Sequence, residues 1–345
     1  MEITTIGLDL AKNVFQVHGV DAADTVVVRK ALRRAQVLPF FAKLSPCLVG
    51  IEACGTSHHW ARELTVLGHE VRLMPPVYVK PYVKRGKNDA ADAEAICEAV
   101  TRPTMRFVPI KSREQQGALS LHRVCKWLVG QRTQLVNLMR SQLGEFGIAI
   151  PAGLGHALTK ARQFVDGEVA FDLPACAAKV IELLAQQALD LHTRLREIDQ
   201  RIEAMLRSDE LARRLATIPG IGPIGATALV AAVADPHQFR SGRQFAAWLG
   251  LTPRQKSSGG KERLGRITKM GDKYLRQLLV IGATSMIRRA KDRPDAVDPR
   301  LIALLARKPA KLVSVAMANK MARIAWAVMT RGQVYQARHE PVLVA

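Results

Sequence analysis

Apolar residues in the first hundred positions fall into short continuous runs separated by segments in which they recur at helical spacing. The runs are β-branched and predict five strands, at residues 3–9, 14–20, 25–29, 47–52 and 70–74. The helical spacing predicts helices at residues 34–43, 58–67 and 87–101. Short polar connections join the first three runs, so we expect them to form an antiparallel meander.

Most of the remaining chain has helical spacing. Residues 112–143 predict a long helix, and residues 177–205 predict a second one whose apolar positions alternate in steps of three and four. The predicted apolar stripes are Leu121, Val124, Leu128, Leu135 and Leu138 in the first helix, and Ile181, Leu184, Ala188, Leu191, Leu195, Ile198, Ile202 and Met205 in the second. They predict either an antiparallel coiled-coil arm or helices that dimerise between chains.

The pattern predicts three domains. They are an α/β domain at 1–108, a coiled-coil helical arm at 109–210 with a linker at 144–175, and a helical C-terminal domain at 211–345. Helices at 273–289 and 311–330 complete the third domain. The order of elements in the first domain, three strands followed by alternating helices and strands, is that of ribonuclease-H-like domains.

Four acidic residues stand at the ends of these elements. Asp9 and Glu52 end two apolar strands, and Asp89 and Asp92 begin the helix at 87–101. In a ribonuclease-H-like order the first and fourth strands are neighbours, so all four carboxylates can converge. Such a group is too costly unless metal ions neutralise it. Two ions about 4 Å apart can clamp a phosphodiester during displacement. Taken singly, each acid has a plain alternative, because Asp9 can simply end a strand and Glu52 can cap a helix.

Two nucleotide-binding interpretations fail on context. Sugar kinases and actin-like ATPases also begin with strand-Gly-x-Asp, but a Gly/Ser/Thr phosphate turn follows, whereas residues 10–13 here read Leu-Ala-Lys-Asn. Gly220-x-Gly222-x-x-Gly225 matches a dinucleotide fingerprint, but a helical run precedes it instead of a strand. This second pattern favours a helix-hairpin-helix module, in which the amides of Gly220 and Gly222 face a phosphate, with a plain helical turn as the alternative.

Charge indicates a polyanionic partner. Lys and Arg number 51 against 30 Asp and Glu, which gives a net charge of +21 and a pI near 10.3. Nucleic acid fits this excess, and a membrane does not, because no apolar run approaches the roughly 20 residues of a spanning helix. No signal-like segment opens the sequence, so we expect a cytoplasmic protein. The five cysteines show no C-x-x-C pair, which favours reduced thiols over a zinc or disulfide framework.

Basic residues concentrate in two places. One set precedes the aspartate helix with Tyr78 and Tyr82 interleaved, which suits a phosphate backbone with a stacked base, and comprises Lys80, Lys84, Arg85 and Lys87. The other set lies near Ser257 and Ser258 and includes Arg254, Lys256, Lys261, Arg263, Arg266 and Lys269. Serines beside glycines are usually turn formers. Surrounding cations can also make a serine a nucleophile toward phosphorus.

Several motifs together make the chain similar to the DEDD-type transposases of bacterial insertion sequences, specifically the insertion-sequence-110 family and its 1111 branch. The motifs are Gly7-Leu8-Asp9, Ile51-Glu52-Ala53, Asp89-Ala90-Ala91-Asp92, Ile218-Pro219-Gly220-Ile221-Gly222, Gln244-Phe245-Ala246-Ala247-Trp248 and Ser257-Ser258-Gly259-Gly260-Lys261. They are spread nearly from end to end of the chain.

The resemblance implies a RuvC-like first domain in which Asp9, Glu52, Asp89 and Asp92 bind Mg²⁺. It implies a C-terminal transposase domain whose nucleophile corresponds to Ser258, directly after Ser257, and forms a phosphoserine link to cleaved DNA. It also implies double-stranded donor and target DNA, a structured non-coding guide RNA called the bridge RNA, and an active site composed from two protomers of a dimer or tetramer. Such enzymes excise and insert their element.

Two other functions stay open at this point. A RuvC-like junction nuclease would use the same metal-bound acids with water as the nucleophile, leaving Ser258 inert. A non-catalytic nucleic-acid scaffold would need the basic surfaces but none of the four acids.

Overall fold

The computed structural model describes residues 2–84, 89–167, 172–256, 263–294 and 297–336. Arg85, Lys87, Ser257, Ser258 and Lys261, which the sequence singles out, lie outside these residues. The chain divides into two compact units, Met1–Arg113 and Glu114–Ala345. The separation of 109–210 from 211–345 remains a prediction.

The first unit is a mixed sheet with helices. Its strands are β1 (Thr5–Asp9), β2 (Val14–Val20), β3 (Val26–Arg33), β4 (Leu48–Glu52) and β5 (Glu70–Met74). Its helices are α1 (Val37–Phe41), α2 (Ser57–Val66), α3 (Pro76–Val79) and α4 (Asp89–Val100). The predicted α/β character is confirmed. The third strand is longer than the predicted run at 25–29, because pairing with β2 continues to Arg33.

The sheet has the order β3-β2-β1-β4-β5. The first three strands are antiparallel, and β4 and β5 run parallel to β1. One face of the sheet is covered by α1 and α2, where Phe15 meets Trp60 edge to face at 5.0 Å. Helix α4 packs on β1, β2 and β4 through buried small and apolar residues, among them Ala93, Ile96 and Val100. This arrangement places the start of α4 at the carboxyl ends of β1 and β4.

In the residues that the structure describes, the second unit consists of helices and one two-stranded hairpin. Its first helix is α5 (Arg113–Gly144), which begins at the last residue of the first unit. The helices that follow are α6 (Leu154–Val165), α7 (Ala175–Ser208), α8 (Glu210–Ala216), α9 (Pro223–Ala232), α10 (Gly242–Trp248), α11 (Lys273–Asp292), α12 (Pro299–Arg307) and α13 (Ala310–Arg331). The hairpin strands are β6 (Pro253–Gln255) and β7 (Leu264–Ile267). The helical character predicted for this region is confirmed.

The two long helices α5 and α7 pack against each other in opposite directions. Cys125 and Leu128 in the first half of α5 share a buried cluster with Leu195 and Ile202 in the second half of α7. Further along α5, a second buried cluster combines residues of α5 with residues of α6 and of the first half of α7. The segment predicted as a linker therefore contains a helix of its own, which covers the far end of the pair.

The apolar stripe predicted on α5 is wrong in part. Val124 and Leu138 are exposed, whereas His122, Cys125, Val136 and Met139 face the interior. The prediction took apolar residues alone as the packing face, but a buried histidine and cysteine belong to the true stripe, which is rotated around the helix. His122 is accommodated because its ring nitrogens lie 3.2 Å from the Tyr274 hydroxyl and 3.1 Å from the Thr227 hydroxyl.

Contrary to the expectation that no apolar run approaches spanning length, one helix among the described residues, α13, has the length and apolar composition to cross a membrane. Half of the most apolar 18-residue stretch of α13 is buried inside the protein. Its buried residues belong to the main core of the second unit, together with α8 to α12. We therefore interpret α13 as a core helix.

Two valines on α5 test this packing. Val136 is 3% exposed and Val124 is 46% exposed, so the same substitution meets opposite environments on one helix. We expect Val136→Ala to lower the free energy of unfolding by about 2 kcal/mol, because it removes two buried methyl groups and leaves a cavity. Val124→Ala should change it by less than about 0.5 kcal/mol. Denaturant unfolding measures both, and equal effects would contradict the α5 packing face described here.

Candidate functional site

Strands β1 and β4 carry the same pattern, a glycine followed two residues later by an acid. Gly7 and Gly50 are register partners in the parallel pair. A Cβ atom on Gly7 would lie 2.1 Å from the Ala93 carbonyl oxygen and 2.4 Å from the Cys97 nitrogen. One on Gly50 would lie 2.8 Å from Cβ of Val100. Helix α4 therefore lies directly against the two strands because neither glycine has a side chain. We call this pair the glycine seat.

The acids project from the same face as the glycines. Successive strand residues alternate between faces, so Asp9 shares the face of Gly7 and Glu52 shares the face of Gly50. Asp89 and Asp92 stand three residues apart in the first turn of α4 and so lie on one side of the helix. The glycine seat thus brings the start of the helix to the ends of both strands.

Three of the four predicted carboxylates form a close group. One carboxylate oxygen each from Asp9, Asp89 and Asp92 lies within 4.8 Å of the other two. Asp9 and Asp92 are half-buried, and Asp89 is exposed. Glu52 is not a member of this close group, although it is near enough to interact electrostatically with Asp9 and Asp92. The structure thus brings the predicted acids to one place, with Glu52 at the edge.

Burial and mutual repulsion raise the pKa values of the strand acids. Desolvation is the largest cause of the rise in the pKa of Asp9 from 3.8 to about 6, followed by the charges of Asp92, Asp89 and Glu52. The pKa of Glu52 is also raised, by burial first and by Asp92 second. Ionising both groups is thus unfavourable in the protein alone. The N-terminal end of α4 offsets only part of this cost, because a helix dipole favours negative charge there.

These side chains suit a hard divalent cation. Carboxylate oxygens are the ligands that such cations prefer, and a bound cation removes the repulsion that raises the pKa of Asp9. No histidine or cysteine belongs to the close group, so the donor set is oxygen only. Softer metals that favour nitrogen or sulfur would have no matching ligands in this group.

Sequence reasoning assigned no structural role to three neighbours of the acids. Gly7 and Gly50 could have been found from the repeated Gly-x-acid pattern at the ends of two apolar runs. Gln16 could not, because only the strand register reveals that it pairs with Asp9. Gln16 is half-buried on the same face, which places an amide beside the carboxylates.

The basic residues preceding α4 have different environments. Lys80 is exposed in a helical turn that follows α3. Lys84 is also exposed, but its Nζ donates a hydrogen bond to Oε1 of Glu94 on α4. Their predicted contacts with nucleic acid remain predictions.

Five of the six basic residues predicted near Ser257 and Ser258 lie on or beside the β6–β7 hairpin. Arg254 and Lys256 belong to the β6 side, and Arg263, Arg266 and Lys269 to the β7 side, and all are exposed. The Lys256 amide donates to the Arg263 carbonyl oxygen at 2.9 Å. The hairpin therefore presents cations at both ends of the segment 257–262.

Gly220 and Gly222 lie in the turn between α8 and α9. Gly220 has a φ of +86°, and a Cβ there would lie 2.8 Å from Cε of Met321 and 3.1 Å from the Gly282 carbonyl oxygen. It therefore packs against α11 and α13, whereas Gly222 is exposed at the start of α9. Of the two predicted phosphate contacts, the position of Gly222 is the more accessible.

A methyl group on Gly7 should displace α4. We expect Gly7→Ala to lower the free energy of unfolding by at least about 2 kcal/mol, because the new atom clashes with helix backbone that cannot rotate away. Gly55→Ala is the control, since a Cβ there meets nothing within 4 Å. Thermal unfolding of both variants measures the difference. Equal stability would show that the glycine seat does not determine the position of α4.

The raised pKa of Asp9 predicts that the free energy of unfolding of the metal-free protein depends on pH. The folded protein binds this proton more tightly than the unfolded chain, so the stabilisation is complete below pH 3.8 and is lost as the pH rises through about 6. Above pH 6 the ionised carboxylate destabilises the metal-free protein. We expect Asp9→Asn to raise the free energy of unfolding by about 1–3 kcal/mol at pH 7.5 in EDTA, and by less at pH 4.5. Asp166→Asn, at an exposed position, controls for net charge; an equal gain there would contradict this prediction.

Two family models match the chain. One, described as "Transposase" and built on DEDD proteins of IS110 elements, matches residues 6–148, which include all four acids. The other, described as "Transposase IS116/IS110/IS902 family", matches residues 212–297, which include the basic hairpin.

Similar proteins of nearly the same length carry transposase names. A "Probable family 20 transposase" of Pseudomonas aeruginosa is 52% identical over 97% of this chain and 99% of its own length. The transposase for element IS1328 of Yersinia enterocolitica is 41% identical over 96% of this chain and 98% of its own length. The transposase for element IS1111A of Coxiella burnetii is 37% identical over 97% and 92%, respectively. The chain therefore belongs to the IS116/IS110/IS902 family of transposases, enzymes that cleave and transfer DNA.

Proposed function

We propose that the first unit is a RuvC-like catalytic domain in which Asp9, Glu52, Asp89 and Asp92 bind Mg²⁺ and position a DNA phosphodiester for cleavage. The observation that carries this proposal is the meeting of three carboxylates within 4.8 Å at the ends of β1 and α4. The sheet order supports it, because an antiparallel meander followed by two parallel strands is the ribonuclease-H-like topology.

Magnesium fits the donor set of this site. It prefers oxygen ligands and is usually bound by a small number of carboxylates, with substrate phosphate completing its coordination. When bound, it would supply charge stabilisation at the phosphoryl oxygens during displacement. The side chains of Asp9, Asp89 and Asp92 would hold it at the carboxyl end of β1, and Glu52 would approach from the carboxyl end of β4.

The proposed nucleophile is Ser258, with Ser257 as its immediate neighbour. A bond would form between Oγ of Ser258 and phosphorus, and the bond from phosphorus to the departing sugar oxygen would break. The serine loses its proton and the departing oxygen gains one. The exposed cations of the β6–β7 hairpin support this role, because Arg and Lys near a phosphate stabilise charge on its oxygens.

The protein's proposed partners are double-stranded donor and target DNA and a structured guide RNA. A net charge of +21 supports polyanionic partners. Guidance by base pairing would let the protein contact phosphates and helix shape while RNA selects the sequence. We further propose a cytoplasmic homo-oligomer, a dimer or a tetramer, in which two protomers compose one active site.

A covalent adduct tests this function. The protein is expressed with the non-coding sequence flanking its gene, and labelled element-end DNA is added with Mg²⁺ or with EDTA. We expect a denaturation-stable protein–DNA adduct with Mg²⁺ only, because the carboxylates must be neutralised before a phosphodiester can approach them. Ser258→Ala, Asp9→Asn and Asp92→Asn should each reduce the adduct at least 100-fold, which gel electrophoresis after denaturation measures.

Ser257→Ala is the matched control and should keep the adduct. Strand cleavage without an adduct, unchanged in Ser258→Ala, would show a junction nuclease that uses water. Unchanged activity in both aspartate variants would show that the four acids are not catalytic.

A further inference from the structure

We propose that Arg29 and Lys84 form a phosphate-binding site for DNA and that Glu94 occupies this site in the free protein as an internal competitor. This proposal rests on the proposed function, because the phosphate-binding site would hold the same DNA strand whose scissile phosphate lies at the acidic site.

The three side chains meet on the flank of α4. Glu94 accepts a hydrogen bond from Nζ of Lys84 through Oε1, and its Oε2 lies 3.9 Å from a guanidinium nitrogen of Arg29. The two cations are largely exposed, with 75% and 63% of their side chains accessible, whereas the carboxylate is only 30% accessible. Two accessible cations therefore surround one partly covered anion, which leaves a net positive site.

The strand register locates this site relative to Asp9. His18 pairs with both Gly7 and Arg29, so Arg29 lies in the row of the glycine seat. Asp9 is two residues further along β1, about 7 Å away in the strand direction, and β3 lies about 10 Å to the side. A DNA strand whose scissile phosphate lies over Asp9 would carry its next phosphates toward Arg29 and Lys84.

A phosphodiester can replace the carboxylate. Exposed ion pairs contribute little stability because water and salt compete with them, so Glu94 is readily displaced. A phosphate offers two non-bridging oxygens that can accept from both cations at once, with charge-assisted hydrogen bonds. Binding there also releases counterions from DNA, which the internal carboxylate cannot do. DNA would therefore open the Lys84–Glu94 contact as it enters.

Affinity for DNA tests the competition. The probe is a fluorescent 20-base-pair duplex of arbitrary sequence, titrated in EDTA so that metal binding plays no part. We expect Glu94→Gln to tighten binding about two- to fivefold at low salt, because the competing charge is gone. Arg29→Gln and Lys84→Gln should each weaken binding and reduce the slope of log K against log salt by about 0.9.

A second ion pair that involves a carboxylate of α4 is the matched control. Glu98 and Arg102 also pair on the surface, near the opposite end of α4 from the acids. Glu98→Gln removes the same charge and should tighten binding much less than Glu94→Gln does. In the Arg29→Gln/Lys84→Gln background, Glu94→Gln should have no effect, because the cations that it masks are absent.

Two results would overturn the proposal. One is an equal gain from Glu94→Gln and Glu98→Gln, which would be a general charge effect. The other is a Glu94→Gln gain that persists without Arg29 and Lys84. Thermal unfolding confirms that each variant is folded. The adduct assay is independent, so a failure here leaves the metal-site proposal intact, and a failure of that proposal leaves the phosphate site testable.

Discussion

The close approach of α4 to β1 and β4 is the constraint on which the first unit depends. Helix backbone can lie against strand backbone only where no side chain intervenes, and Gly7 and Gly50 supply that gap on two neighbouring strands. The acids follow each glycine by two residues, so the same contact that packs the helix also aligns Asp9 with Asp92. Packing and chemistry therefore share one geometric cause. A side chain at either glycine would displace α4 and with it Asp89 and Asp92.

The acidic group is also electrostatically unfavourable, and the fold nevertheless holds its carboxylates together. Burial and neighbouring charge raise the pKa of Asp9, so the protein pays in stability near neutral pH for keeping the carboxylates together. Sites of this kind are typical of function, because sequences rarely keep an unfavourable cluster that packing could avoid. The remainder of the first unit offsets the cost through an apolar core on the other face of the sheet, centred on Phe15, Phe41 and Trp60.

Sequence reasoning recovered the parts that depend on periodicity. Short β-branched runs predict the five strands, and the fold class follows from their order with the helices. The meeting of Asp9 with Asp89 and Asp92 was predictable because strand ends and helix starts meet at one edge of such a sheet. Other features depend on the pairing register of the strands or on the rotation of a helix about its axis. Gln16 beside Asp9, the pairing of Lys84 with Glu94 and the inward face of α5 require knowing which residues lie opposite each other, and composition does not encode that. His122 shows the limit well, since a polar residue at a buried position departs from any apolar stripe.

In the proposed function, the two units divide the chemistry between them. The first holds the carboxylates on a sheet edge and a helix start, positions fixed by backbone packing. The second holds the cations that flank Ser257 and Ser258 in sequence on the β6–β7 hairpin, whose strands are short and exposed. A metal site needs fixed geometry to hold a small ion, whereas a cationic hairpin that follows a phosphate backbone needs reach and tolerance. Each structural element thus suits the precision that its proposed part in DNA cleavage demands.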